Sequence, residues 1–307
     1  MIKVKLFAWW IDSSKITERF KQQFIGSYFA DDRVKLVIDD TYDYAVVFGY
    51  TNETLKTDKN HTIFFFQEPH WSNNWDRDAH KKSNRVFCPT KKLYGNQEEL
   101  IDHTAYMFYG GHGDVYFELD KILNYTNVEK NKNTSFIVTY RSSSPLTGGH
   151  ENNIYKERVL LAEKLLETNS NVDIYGQMWE YYSRKDILQL KGGIYTKYEG
   201  INDYKYSVAI ENSEEKNYIT EKLYDVIFFN ALPVYAGAPN VKEIDLIKDV
   251  TIVLPPIQNT EECADFINNN LTEDLYNEKK AIINDIKYQI FASAKYNIWK
   301  KIIDEII

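Results

Sequence analysis

The chain has 307 residues, 43% apolar and 27% charged, which is long enough for two domains of ordinary size and a sizeable core. A net charge of −8 and a pI near 5.4 exclude a general nucleic-acid binder, because counterion release needs a basic face; a local basic pocket for a small anion remains open. The two cysteines, Cys88 and Cys263, match no metal spacing and read first as buried, reduced thiols, with one long-range disulfide as the alternative.

Along the chain, short apolar runs alternate with helical stretches. "IKVKLFAWW" opens as a strand, and the pattern predicts five strands near residues 2–9, 34–38, 44–48, 62–66 and 85–88. "HTIFFFQEPHW" is the most apolar of them and ends at Pro69. Residues 120–134 turn polar and lose periodicity, which marks a joint. Beyond it come strand "SFIVTY", helix "YKERVLLAEKLLET", and strands "VDIYG" and "YSVAI". A helix from Glu221 and strands "PVYAG" and "TIVLP" follow. Near the end Tyr296, Trp299, Ile302, Ile303 and Ile306 share one face, as in a helix docked on the body. Two successive α/β units with parallel sheets fit this alternation, and ligands in such sheets bind beyond the carboxyl ends of the strands. No run approaches the roughly 20 apolar residues of a membrane span. The N-terminal run is too short and too broken by lysines for a secretion signal. A cytoplasmic location is therefore expected, with peripheral attachment to a membrane surface left open.

The stretch from Tyr206 to Asn240, "YSVAIENSEEKNYITEKLYDVIFFNALPVYAGAPN", carries the densest chemistry. Its strand ends at Ile210, Glu211 and Asn212 open a polar loop, and Thr220 is suited to cap a helix that begins with Glu221 and Lys222. A helix N-terminus offers free N–H groups and a positive dipole end, which suit a diphosphate. A cation at Lys222 opposes that dipole, and an anionic ligand would resolve the conflict. Glu221 can accept hydrogen bonds from sugar hydroxyls. The plainer reading, a well-capped surface helix with an ordinary acid–base pair, explains the local pattern equally well.

The ordered elements "ENS", "YITEK" and "PVYAGAP" resemble the donor-site signature of the family 10 glycosyltransferases, the α-1,3/α-1,4-fucosyltransferases. The resemblance is strong over residues 204–240 and weaker elsewhere. It implies two facing Rossmann-like domains in the GT-B arrangement, an inverting reaction, and GDP-β-L-fucose as donor. Residues 1–132 would then bind an oligosaccharide acceptor and residues 133–290 the donor, with a C-terminal helix over 291–307. Carried onto this chain, it assigns Lys222 to the diphosphate and Glu221 to ribose or fucose hydroxyls. Asn212 and Tyr218 would line the nucleotide-sugar pocket. Arg158, in "YKERVLLAEKL", would grip the diphosphate. Glu68, at the end of the strand before Pro69, would be the base that takes the acceptor proton. A location beside Phe66 and Trp71 would raise its pKa toward the working pH. The turn after "SFIVTY" departs from the family pattern. Arg141 offers a substitute phosphate contact there, and Glu211 is a further donor-side candidate.

No cofactor is required by this chemistry, since Arg158, Lys222 and the helix end supply positive charge, although Mn²⁺ or Mg²⁺ could stimulate it. No metal ligand set is expected. Asp76–Arg77–Asp78 is a D-x-D triplet in a solvated setting, and His70, His80, His103 and His112 lack ligand spacing. "YGGHGD" lacks the Lys-Ser/Thr of a phosphate-binding loop. The wealth of Tyr and Trp fits sugar stacking as well as core and rim packing. The expected function is transfer of L-fucose to a GlcNAc-type acceptor, most simply in α-1,3 linkage. The alternatives are a GT-B enzyme using another nucleotide sugar, or a non-catalytic glycan- or nucleotide-binding module. Acceptor choice would lie in loops 70–84 and 106–116.

Overall fold

The computed structural model describes residues 1–69, 71–89, 99–100 (backbone), 118–125, 129–139, 152–168, 170–177, 179 and 188–307. Arg141, His70, His103, His112, the "YGGHGD" loop and the 106–116 segment lie outside these residues.

The first half carries β1 (Ile2–Ala8), α1 (Ser13–Phe20, continued by a π turn over Lys21–Ile25), β2 (Val34–Val37) and β3 (Tyr44–Phe48). It continues with β4 (Thr62–Phe65), α2 (Ala79–Lys82), β5 (Arg85–Cys88), β6 (Glu99–Leu100) and α3 (Leu119–Asn124). The second half carries β7 (Lys132–Ile137), α4 (Tyr155–Glu167), β8 (Val172–Tyr175), β9 (Leu190–Gly192), α5 (Lys197–Ile201) and β10 (Tyr204–Ile210). After it come α6 (Glu221–Phe228), β11 (Leu232–Ala236), β12 (Ile252–Val253), α7 (Thr260–Asn270), α8 (Glu273–Ala292) and α9 (Ile298–Ile306).

These strands form two all-parallel sheets, ordered β2-β1-β3-β4-β5-β6 and β12-β11-β10-β7-β8-β9. Parallel strands covered on both faces need continuous apolar runs rather than alternation. β4 and β11 are accordingly buried at every position. In each sheet the order reverses at one point, between β1 and β3 in the first and between β7 and β10 in the second. At such a point neighbouring connections leave on opposite faces and open a crevice.

The stretch read from its polarity as a joint contains α3 and the start of β7. α3 forms because Leu119 and Ile122 are buried and Asp120 accepts a hydrogen bond from Ser27 N at 3.0 Å. Two apolar residues on so short a helix leave no periodic signature. The C-terminus closes the molecule in two steps. α8 packs on the second half through Phe291 stacked on Phe228 at 4.7 Å. α9 then crosses to the first half, where Trp299 Nε1 donates to Phe29 O at 2.7 Å and its ring meets Phe20 edge-on. Asn297 caps α9 by accepting from Trp299 N, and its amide donates to Phe24 O and Phe291 O. Cys88 and Cys263 are both buried, on β5 and α7. Among the described residues no helix is long and apolar enough to cross a membrane.

Trp299→Ala removes the largest buried side chain of this strap. It should cost about 3–5 kcal/mol in urea unfolding, against about 0.5 kcal/mol or less for exposed Asp304→Ala. Equal losses in the two variants would mean that α9 does not hold the halves together.

Candidate active site

The carboxyl ends of the two sheets face a common cleft of about 540 Å³. Trp9, Trp10, Gly49, Gln67 and Glu68, just beyond β1, β3 and β4, form one wall. Thr139, Gly176, Lys197, Asn212, Tyr218, Glu221 and Lys222 form the other. A hydrogen bond from Trp71 Nε1 to Ser213 Oγ, 3.2 Å, ties the walls together beside the cleft.

The second wall is built around Glu211, which is fully buried where β10 ends. Its carboxylate accepts from Thr220 N at 2.7 Å and from Thr220 Oγ1 at 2.6 Å. Thr220 in turn caps α6 by accepting from Lys222 N. Gly237 makes room for this arrangement. Its φ of +155° lies at the edge of the range that favours glycine, and a Cβ there would stand 2.5 Å from Glu211 Cγ. With the helix start fixed, Glu221 meets Lys197 Nζ at 3.1 Å, and the same ammonium donates to buried Asp225 at 2.7 Å. Lys222 Nζ lies 3.5 Å from Glu221, 3.6 Å from Glu211 and 3.2 Å from Thr220 Oγ1.

Burial alone would raise the Glu221 carboxyl, but Lys197 and Lys222 outweigh it and hold Glu221 well below the usual carboxylate range. Burial likewise works against charge on Lys197, and Asp225 and Glu221 reverse it, holding Lys197 above an ordinary lysine. Glu211 is pushed up by burial, with Lys222 and the Thr220 donors opposing. Across the cleft, Glu68 is also pushed up by burial. Lys222 acts against that rise, and Glu221 and Glu211 add to it. Its backbone carbonyl accepts from Trp75 Nε1 at 3.1 Å, and Trp75 stacks on Phe66 at 4.5 Å, which fixes the strand end that carries Glu68.

Of the residues singled out from sequence, Glu68, Asn212, Tyr218, Glu221 and Lys222 line one cleft, with Glu211 directly beneath Thr220 and Lys222. Arg158 is buried one layer behind. Its Nη1 donates to Ile210 O at 3.1 Å and Asn212 Oδ1 at 3.0 Å, its guanidinium lies 4.3 Å over the Tyr155 ring, and its Nε has no partner. The D-x-D triplet is committed to local pairs, Asp76 with Lys82 at 2.6 Å and Asp78 with Lys81 at 2.8 Å. Lys197, Trp9, Trp10 and Gln67 were not anticipated. The only sequence sign of Lys197 is Thr196-x-x-Glu199, a capping box that opens α5 and puts Lys197 in its first turn.

Two parallel α/β sheets facing each other across a cleft at their carboxyl ends make a GT-B arrangement, the architecture of a large class of glycosyltransferases. Within it, residues 147–279 match the family model for the C-terminal part of glycosyltransferase family 10 (fucosyltransferase), which supports a place in that family. The α-(1,3)-fucosyltransferase FucT of Helicobacter pylori is 31% identical over 71 residues, 23% of this chain and 15% of that one. The matched stretches span less than a fifth of such curated relatives. A crystal structure of an α1,3-fucosyltransferase with GDP superposes with a TM-score of 0.52 at 18% identity, covering 91% of this chain and 82% of that one. A DNA-modifying β-glucosyltransferase does so with a TM-score of 0.54 at 12% identity, covering 99% of each. These two similarities are of fold.

Lys197→Met leaves Glu221 beside buried Asp225 without their shared cation. The variant should lose about 3–5 kcal/mol at pH 7. In the wild type, Glu221 is held below its unfolded value of about 4.3, so its contribution is present above that pH and is lost as pH falls through the folded value. In the variant the folded value rises, so the deficit should shrink as pH drops from 7 to 4. Melting temperatures of both proteins across that range measure it, and a constant gap would refute the assignment.

Proposed function

We propose that the protein is a family 10 fucosyltransferase that moves L-fucose from GDP-β-L-fucose, with inversion, to a hydroxyl of a GlcNAc-type acceptor, most simply in α-1,3 linkage. The observation that carries this is the meeting in one cleft of Glu68 from the first sheet with Glu221 and Lys222 from the second. The family match over residues 147–279 and the Helicobacter pylori relative support the donor class and the linkage.

In this reading Glu68 takes the proton from the acceptor hydroxyl as its oxygen attacks the anomeric carbon from the face opposite GDP. Burial raises Glu68, which brings its basicity nearer to the working pH than that of a solvated glutamate. As the glycosidic bond breaks, negative charge builds on the diphosphate, and Lys222 and the N–H groups opening α6 meet it. Arg158 supports Asn212 from behind and adds positive charge to the same wall. Glu221, kept ionised by its lysines, accepts hydroxyls of ribose or fucose. Arg141 remains a proposed phosphate contact. The residues supply the positive charge themselves, so a divalent cation acts at most as a stimulant. A second reading keeps the chemistry and changes the sugar, because a β-glucosyltransferase shares the architecture.

GDP release from GDP-fucose should require an acceptor such as N-acetyllactosamine, fall at least about 100-fold in Glu68→Gln, and fall comparably in Lys222→Ala. The acid limb of kcat/KM should lie above the ordinary glutamate value of about 4.3, since the base must be ionised and burial raises it. Release that survives Glu68→Gln would remove the base. Release from another nucleotide sugar but not GDP-fucose would favour the second reading, and the absence of both release and stabilisation by GDP would overturn the class.

A further inference from the structure

The wall opposite the ion cluster has a feature that the transfer chemistry does not use. Trp9 and Trp10 follow β1 directly and stay 39% and 40% exposed, although both line the cleft. Trp9 stacks parallel to Tyr50, centroids 5.8 Å apart and planes 8° from parallel, and Trp10 meets Trp9 edge-on at 5.7 Å and 76°. Tyr50 thus backs Trp9, and Trp9 and Trp10 present two indoles at a steep angle to the cleft.

This corner is built rather than incidental. It sits at the point where the first sheet reverses its order, between β1 and β3. Gly49, just beyond β3, has φ +75°, and a Cβ there would come within 2.7 Å of Asn74 O and 3.0 Å of the Trp9 ring. A side chain at that position would collide with the Asn74 carbonyl and crowd the Trp9 ring. Beside the rings, Gln67 lines the same cleft immediately before Glu68, and its Nε2 is buried without a hydrogen-bond partner. A buried amide donor left unmatched costs about 1–3 kcal/mol, so turning the Gln67 amide toward a ligand oxygen in the cleft would recover that cost.

We infer that Trp9, backed by Tyr50, and Trp10 form the acceptor platform, on which a pyranose lies with its C–H face against an indole while the Gln67 amide turns to donate to a ring substituent. The inference rests on the transferase reading for the direction of the reaction. Flat aromatic faces and one amide donor fit a ligand that is apolar on one side and hydroxylated at its edge. The position of the indoles inside a cleft shared by both sheets, rather than on an open face, does not fit a lipid surface. The indoles and Glu68 follow β1 and β4 of one sheet and line the same cleft.

The test uses the full chain, Trp9→Ala, Trp10→Ala and Trp9→Phe, with saturation-transfer NMR of N-acetyllactosamine binding in the absence of donor. Each alanine variant should bind the disaccharide about tenfold more weakly, and Trp9→Phe should stay within about threefold. The GDP-induced rise in melting temperature serves as the control for a folded donor wall. If the alanine variants bind the sugar as the wild type does, or the acceptor KM for fucose transfer does not move, the platform is wrong and the transferase reading stands. If wild type binds the sugar, the alanine variants lose it, and no fucose is ever transferred, the platform stands and the transferase reading falls. Wild type that binds no saccharide but adheres to phosphatidylserine vesicles through Trp9 and Trp10 would overturn the inference.

Discussion

A carboxylate removed from water is expensive, on the order of several kcal/mol, unless its surroundings donate back to it. Glu211 meets that requirement with the backbone N–H and hydroxyl of Thr220, and with Lys222 nearby. Because Thr220 is also the cap of α6, the residues that stabilise a buried charge also fix the rotational phase of the helix. Glu221 and Lys222 then have little choice of direction. Gly237 belongs to the same constraint, since the strand that follows α6 must pass Glu211 without a side chain. This wall of the cleft is thus one interlocked unit, from the end of β10 to the end of β11.

The two sheets contribute different chemistries to the cleft. The second supplies ionised groups at helix starts, which suit a charged nucleotide sugar. The first supplies aromatic rings and a carboxylate raised by burial, which suit a neutral ring bearing a hydroxyl to be deprotonated. Neither wall can act alone, so their relative placement matters as much as their content. The Trp71–Ser213 hydrogen bond holds them on the cleft side and the α9 strap on the far side. The protein therefore uses its C-terminus, which follows the second half in sequence, to fasten the first half.

Legibility from sequence followed sequence distance. Thr220, Glu221 and Lys222 lie at one helix start, where local capping rules were enough to place them, whereas the burial of Glu211 beneath Thr220 left no local sign. β3 and β4 stood out because a strand buried on both faces leaves an unbroken apolar run. β7 begins in polar Lys-Asn-Thr and so starts earlier than the "SFIVTY" reading, and β6, β9 and α3 are too short to show a period. Lys197 was invisible because its partner Glu221 is 24 residues away and reaches it only once β10 is in place. Trp9 and Trp10 read as more strand, because nothing in "FAWW" announces that the strand stops at Ala8 and the rings turn outward. Arg158 was found by its motif. The helical pattern did not reveal that it would lie behind Asn212, bound to the carbonyl of Ile210.

The lengths of the ion pairs divide labour between the two lysines. Lys197 makes short contacts, 2.7 Å to Asp225 and 3.1 Å to Glu221, so moving it would strip two carboxylates of their partner. Lys222 makes three long ones, none under 3.2 Å, and each of its partners is held by other donors. Lys222 can therefore move at small cost, as the proposed diphosphate contact requires, while Lys197 holds Glu221 in place. A fold shared with a β-glucosyltransferase at 12% identity does not dictate which sugar is carried. Among the described residues of this wall, the loosely held ammonium of Lys222 is a group free to change partners, whereas Arg158 acts from behind through Asn212.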